Sequence, residues 1–432
     1  MSNLQENFAT AQEASVYTAT QLHLWRAETV RSRCGEIFDR ACTGELLAYD
    51  YRSDRVEATA EYVMDVILEN YPDLNIPPHS RWRHFSCGGV DRWSPIADGA
   101  GDLNELKMRA TELTMISVLL DAGAGADWRY VESASGLTLS RSEGLGAASV
   151  ALYAQGALCS GGTPFRVDAE GLRKLTTAQL AACFQVSERN PLIGLQERVT
   201  LLRRLGDVVA SAPGVFGGEG RLGVLALYLE AASATASAAA SVARGAGVAG
   251  GLSVDFAFRE LLKLLSGVWP VRNPELGALG DVWAYPGVGA SEPGAGLIPF
   301  HKLSQWMMYS LTEAWRISGM EVIEDDTLTA LAEYRNGGLL LDMGVLAPKD
   351  PAFAATEYEP GAPEVVELRA MTVAVVDQLA ARLNTQLRER GVALTMSQIL
   401  EGGTWSAGRK LAFARSPNGA PPIRYRADGT LF

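Results

Sequence analysis

Histidine, cysteine and positive charge are all scarce in this 432-residue sequence, and each scarcity removes a class of function. Only four histidines occur, His23, His79, His84 and His301, with no two at metal-ligand spacing, so no dedicated metal site is expected. The five cysteines, Cys34, Cys42, Cys87, Cys159 and Cys183, form no C-x-x-C and are odd in number, which argues against a disulfide framework and fits a reducing cytoplasm. Lysine and arginine number 38 against 50 acidic residues, a net charge of −12. The basic excess of a nucleic-acid binder is missing, so no nucleic-acid partner is expected, and any anionic ligand must be small and held by a few local cations.

Long apolar runs are missing as well. No stretch reaches the ~18 strongly apolar residues of a membrane helix. The nearest, Gly223 to Ala243, is mostly Ala, Ser and Gly, includes Glu230, and reads as a closely packed soluble helix. The opening MSNLQENFATAQEASVYTAT shows no basic region followed by an apolar one, so the expectation is a cytoplasmic protein with no membrane partner. Neither G-x-x-x-x-G-K-[ST] nor G-x-S-x-G is present; Glu401 to Thr404 (EGGT) is no phosphate loop, and no nucleophile elbow exists.

What is present is helical periodicity. Glu57 to Asn70, Glu105 to Leu120, Leu195 to Val209, Phe256 to Leu265 and Val366 to Arg390 repeat apolar residues at three and four. Tyr71-Pro72, Gly123 and Gly391 supply stops. Strand signals are confined to hairpins at Trp128 to Ser140, around Ser135-Gly136, and Ile423 to Phe432, around Asp428-Gly429. The expected fold is mainly α with small β-hairpins. A working division is an N-terminal helical region over 1–165 and a second helical region over 166–432, forming one compact unit together. The Gly-rich pieces at 212–220, 244–252 and 284–296 read as surface connections, with hinges or lids as the alternative.

Three segments carry chemistry. In Leu297 to Gly319, Pro299 suits a first helical turn, so His301 and Lys302 are expected at a helix start, where exposed N–H groups and a cation make a phosphate seat. Gln305 and Trp306 follow one turn on; the alternative is a surface lysine before a core-facing aromatic stripe. In Asp325 to Leu346, Glu333, Tyr334 and Arg335 precede Asn336-Gly337-Gly338, read as a helix-breaking turn. A carboxylate in that apolar setting suits acid, base or cation-stabilising work; the alternative is an ion pair with Arg369 or another arginine. In Pro77 to Trp93, Arg81, Arg83, His84 and Arg92 with Trp82 and Trp93 suit a small anion or planar group, or a loop held by arginine hydrogen bonds.

Strings spread along nearly the whole chain carry a resemblance: SRWRHF, LLDAGAGADWRY, SRSEGL, NPLIGLQERVTLLRRLG, LGDVW, PFHKLSQW, LAEYRNGGL, EGGTW and PPIRYRADGTLF. In these the sequence resembles the bacterial and fungal uracil-catabolism proteins long filed as a domain of unknown function. The resemblance implies a step in a uracil-degradation route that passes through a ribosylated, ring-opened pyrimidine and releases urea late. From Val167 onward the chain is more distantly similar to the queuosine-nucleotide salvage glycosidases, whose fold is like that of helix-hairpin-helix DNA glycosylases. Phe300 to Gln305 matches their F-Y-K-x-A-Q helix start, Glu333-Tyr334-Arg335 their D-Y-R, Glu367-Leu368-Arg369 their E-I-R, and Arg424-Tyr425-Arg426 their R-x-R. Glu replaces the family's Asp, and Asn336-Gly337-Gly338 replaces a segment ending in proline.

By this resemblance Lys302 holds a 5′-phosphate and Glu333 occupies the catalytic carboxylate position. His301, Gln305, Tyr334, Arg335, Glu367, Arg369, Arg81, Arg83, His84, Trp405, Arg424 and Arg426 are the other expected substrate contacts. The implied activity is an N-ribosyl hydrolase acting on ribosylurea or its 5′-phosphate, a small ribosylated molecule, with no cofactor; homo-oligomerisation stays open. The proton donor to the departing urea also stays open among His84, Arg335 and a protonated acid. An amidohydrolase or deaminase, or a non-catalytic nucleotide-binding protein, are the alternatives.

Overall fold

The computed structural model describes residues 17–244, 250–272 and 274–426. Twelve of its α-helices carry the argument: α1 (Ala19–Leu24), α2 (Ala27–Cys42), α3 (Val56–Asn70), α4 (Leu103–Leu119), α5 (Arg141–Ala154), α6 (Leu195–Ser211), α7 (Val224–Arg244), α8 (Val254–Leu265), α9 (Lys302–Ile317), α10 (Tyr334–Asp342), α11 (Pro363–Arg388) and α12 (Trp405–Arg415). Among the described residues, strands are two or three residues long and pair only in twos, so the protein is mainly α with small β additions. No helix among the described residues is long and apolar enough to cross a membrane.

The long helices start and stop for local reasons. Asp102 caps α4 by accepting from the Glu105 amide, Tyr71 ends α3 ahead of Pro72, and Gly391, at φ 72°, turns the chain away after α11. The hairpin around Gly136 forms as its turn chemistry dictates, Tyr130–Glu132 against Leu137–Leu139. The turn of the expected hairpin at 423–432, at 428–429, lies outside the described residues; within them Arg424–Tyr425 pairs in parallel with Glu357–Tyr358.

The described residues group into two compact units whose boundaries differ from the division at 165. One comprises 17–77, Pro270–Lys302 and 326–426; the other comprises Pro78–Trp269 and Leu303–Asp325. In the first, α11 packs on α2 and α3, and α10 packs on α11 and α12. Tyr49–Tyr51 pairs antiparallel with Leu346–Pro348, and Val282–Ala284 with Leu297–Pro299. In the second, α7 and α5 pack on α4, whose residues from Ala110 to Leu119 are all buried. There Glu112, Arg221, Glu105 and the Tyr153 hydroxyl form a hydrogen-bonded ionic network, which is how a buried carboxylate is tolerated.

The Gly-rich loop 284–296, in the first unit, is tied to α2. Arg33 of α2 is fully buried; its Nη2 lies 3.2 Å from Glu292 and donates to the Pro293 carbonyl. Glu36 accepts the Gly289 amide at 2.7 Å, and Arg40 donates to the Pro286 carbonyl at 2.8 Å. A Cβ at residue 289 would coincide with the Arg33 guanidinium, so only glycine fits there.

Candidate functional site

The first unit gathers the residues around Lys302 and Glu333 on one buried ion pair. Arg369, on α11, meets Asp281 in a two-pronged contact, Nη1 to Oδ1 at 2.8 Å and Nη2 to Oδ2 at 2.6 Å. Asp281 Oδ1 also accepts from Trp283 Nε1, and Oδ2 from the Lys302 amide at 3.0 Å. Burial raises the Asp281 carboxyl, but the Arg369 charge and these hydrogen bonds outweigh it and hold it at about 2. The Arg369 guanidinium lies 4.1 Å from the centre of the Phe300 ring, and its Nε donates to the Ala332 carbonyl, one residue before Glu333.

Lys302 opens α9, but the approach differs from the one its sequence suggests. Pro299 ends a strand rather than occupying the first helical turn, because Leu297–Pro299 pairs with Val282–Ala284. His301 stands just before the helix at φ 48°, in the left-handed region, with its amide and that of Phe300 directed at the Asp281 carbonyl. Its Nε2 meets the Leu24 carbonyl at 2.9 Å, and burial pushes the imidazole below its ordinary range, so it is neutral near pH 7. His301 therefore anchors the turn. Asp281 takes the first helical N–H, so the Lys302 amide is committed to that carboxylate. Gln305 is buried one turn along α9, in the part assigned to the second unit.

Glu333 is the N-cap of α10: Oε1 accepts from the Asn336 amide at 2.6 Å and Oε2 from the Arg335 amide at 2.8 Å. The expected helix-breaking turn at Asn336-Gly337-Gly338 is thus the first stretch of a helix. Glycine is there for close approach, since a Cβ on Gly337 would sit 3.0 Å from Thr372 Oγ1, and one on Gly338 would sit 3.1 Å from Pro422. Glu333 caps α10, and Arg369 pairs with Asp281. Arg335 stacks over the Tyr334 ring and donates to the Gly419 carbonyl.

The remaining expected contacts separate. Glu367, two residues before Arg369 on α11 and so on a different face, is fully buried and accepts from the Leu47 and Ala48 amides and the Tyr285 hydroxyl. It fastens the 46–48 turn. Arg424 and Arg426 are exposed, and Arg426 reaches Glu359 at 2.7 Å. Tyr425 between them is half-buried near Glu333 and Tyr334. Burial, then the charges of those two groups, push its phenol up, so it keeps its proton. Trp405 begins α12 directly after a π-helical segment, Ile399–Thr404.

Arg81, Arg83 and His84 belong to the second unit, and the loop is built as arginine-held structure. Arg81 is fully buried and donates to Ser117 Oγ and the Ser142 carbonyl, with Asp121 at 2.9 Å. Arg92 grips both oxygens of Glu132. Burial, with Arg81 and His79 nearby, pushes His84 well below the ordinary imidazole range, so it is a neutral imidazole rather than an imidazolium near pH 7. A cleft of about 490 Å³ in this unit, bordered by Tyr130, Glu132, Gln155 and Cys183, contains none of the expected site residues. Sequence reasoning missed Asp281 and Tyr425, although both sit inside quoted strings, LGDVW and RYR; a lone acid before two apolar residues and a tyrosine between arginines give no spacing signal.

The family model described as a protein of unknown function, DUF1688, matches residues 23–432. The chain is 36% identical over 428 residues to Protein urg3 of Schizosaccharomyces pombe, covering 96% of this chain and all of that protein. It is 32% identical over 439 residues to Uracil catabolism protein 4 of Lachancea kluyveri, covering 94% of this chain and 97% of that one. By both measures the chain belongs to the DUF1688 family.

Proposed function

We propose that the protein is an enzyme of uracil catabolism that hydrolyses the N-ribosidic bond of ribosylurea or its 5′-phosphate, giving urea and the pentose. The name of the Lachancea kluyveri relative supports the pathway. The observation that carries the chemistry is the carboxylate of Glu333, fixed through both oxygens at a helix start in the same unit as Lys302.

Breaking an N-ribosidic bond builds oxocarbenium-like charge on the sugar, and a carboxylate near the anomeric carbon stabilises that charge and orients the attacking water. A carboxylate whose rotation is blocked by two N–H donors needs little reorganisation at that moment. The Lys302 ammonium holds the far phosphate, so that binding remote from the scissile bond orients the sugar. Urea departs readily only if its nitrogen or carbonyl oxygen receives a hydrogen bond. Tyr425, protonated and close to Glu333, is the donor we assign.

Purified protein incubated with ribosylurea and with its 5′-phosphate should release urea and pentose in equal amounts. Glu333→Gln should lower that rate by roughly 10²–10⁴-fold. Unchanged turnover in this variant removes Glu333 from the mechanism; ammonia without pentose would identify an amidohydrolase or deaminase, and tight binding without product a non-catalytic role.

A further inference from the structure

We infer that Asp281 and Arg369 are a positioning pair that locks the helix start bearing Lys302 to the segment bearing Glu333. Asp281 is saturated: its carboxylate takes both prongs of Arg369, the Trp283 indole N–H and the Lys302 amide, while its carbonyl takes the Phe300 amide at 2.9 Å. Arg369 reaches the other way, to the Ala332 carbonyl. One guanidinium–carboxylate contact therefore stands between the backbone at 300–302 and the backbone at 332–333. The left-handed backbone at His301 is a second sign, because a non-glycine residue holds that conformation only where its surroundings over-determine it.

A buried ion pair is a poor device for stability alone, since apolar side chains of similar volume commonly serve as well. Its planar, two-pronged geometry is a good device for fixing distance and angle. Neither residue is assigned a contact with the reacting atoms; both act through Lys302 and Glu333.

The test uses the full chain with Asp281→Asn, Arg369→Gln and the double variant, and reads two quantities. Amide exchange at Lys302 reports one end, and at Arg335 and Asn336, whose amides grip the Glu333 carboxylate, the other. Each single variant should accelerate exchange at both ends, and the double variant should be no worse than the worse single. The second quantity, kinetics, rests on the N-ribosyl hydrolase reading: kcat should fall roughly 10²-fold, with KM rising more for the phosphorylated than for the unphosphorylated substrate. Exchange effects confined to the mutated end, or additive in the double variant, overturn the inference. If a single variant does not fold, the double variant leaves no unpaired charge, and Trp283→Phe removes one hydrogen bond from Asp281; both carry the same exchange readout. A wild-type protein that releases no pentose sinks the hydrolase reading, while exchange still decides the positioning one.

Discussion

At the scale of single residues, Glu333 holds a helix start and presents a carboxylate with the same two oxygens, so its substitutions separate two effects. Glu333→Gln keeps one carbonyl acceptor and should cost about 1 kcal/mol of stability as a weakened cap. Glu333→Asp keeps a strong capping side chain but withdraws the carboxylate by one methylene. We expect near-native denaturation midpoints in both, with urea release impaired in both; an aspartate variant as active as wild type would place the reacting centre elsewhere. Tyr425→Phe should lower kcat with little change in KM, and the wild-type rate should show no alkaline loss from this phenol near its ordinary value of 10, because its proton is held more tightly. Asp281 sets an acid limb. Its folded value lies below the ordinary 3.8, so it stabilises the fold by about 2 kcal/mol above pH ~4, and that contribution is lost as pH falls toward 2. Stability measured against pH should be flatter over that interval in the double variant Asp281→Asn, Arg369→Gln.

At the scale of elements, periodicity made α3, α4, α6, α8 and α11 legible, to within a few residues at each end, because their apolar faces repeat locally. The start of α10 was misread for a physical reason. Asn-Gly-Gly is turn chemistry in isolation, and only the approach of Thr372 and Pro422, distant in sequence, makes glycine the residue that fits inside a helix. The short strand at Leu297–Pro299 was hidden likewise, since its partner Val282–Ala284 lies beyond the Gly-rich loop. Helix α12 packs on α10 so closely that a Cβ on Gly408 would fall on the Arg335 carbonyl oxygen. Gly408→Ala should therefore destabilise by roughly 1–3 kcal/mol and disturb the Glu333 cap, whereas Gly338→Ala, facing only the Pro422 ring, should cost less. Urea denaturation with the activity assay ranks the two.

At the scale of the whole molecule, the chain returns to its first compact unit after long excursions, and no composition break announces those returns. Residues 17–77 are held there by partners near the other end of the sequence: Glu367 accepts from Leu47 and Ala48, Arg31 pairs with Asp377, and Tyr49–Tyr51 pairs with Leu346–Pro348. Fragments 1–165 and 166–432 should each lack a cooperative thermal transition, because the second would bury Glu367 with only the Tyr285 hydroxyl and without the Leu47 and Ala48 amides; a sharp melt of either fragment alone would contradict the unit boundaries. The Arg33 side chain carries this logic into the Gly-rich loop. It works like a dowel driven through two boards: withdrawing loop 284–296 would take Glu292 and the Pro293 carbonyl away from a fully buried guanidinium, leaving it Glu36 of its own helix, so loop and helix are expected to travel together. Any gating movement here would then have to begin in α2, and a probe attached to the loop would report the breathing of that helix.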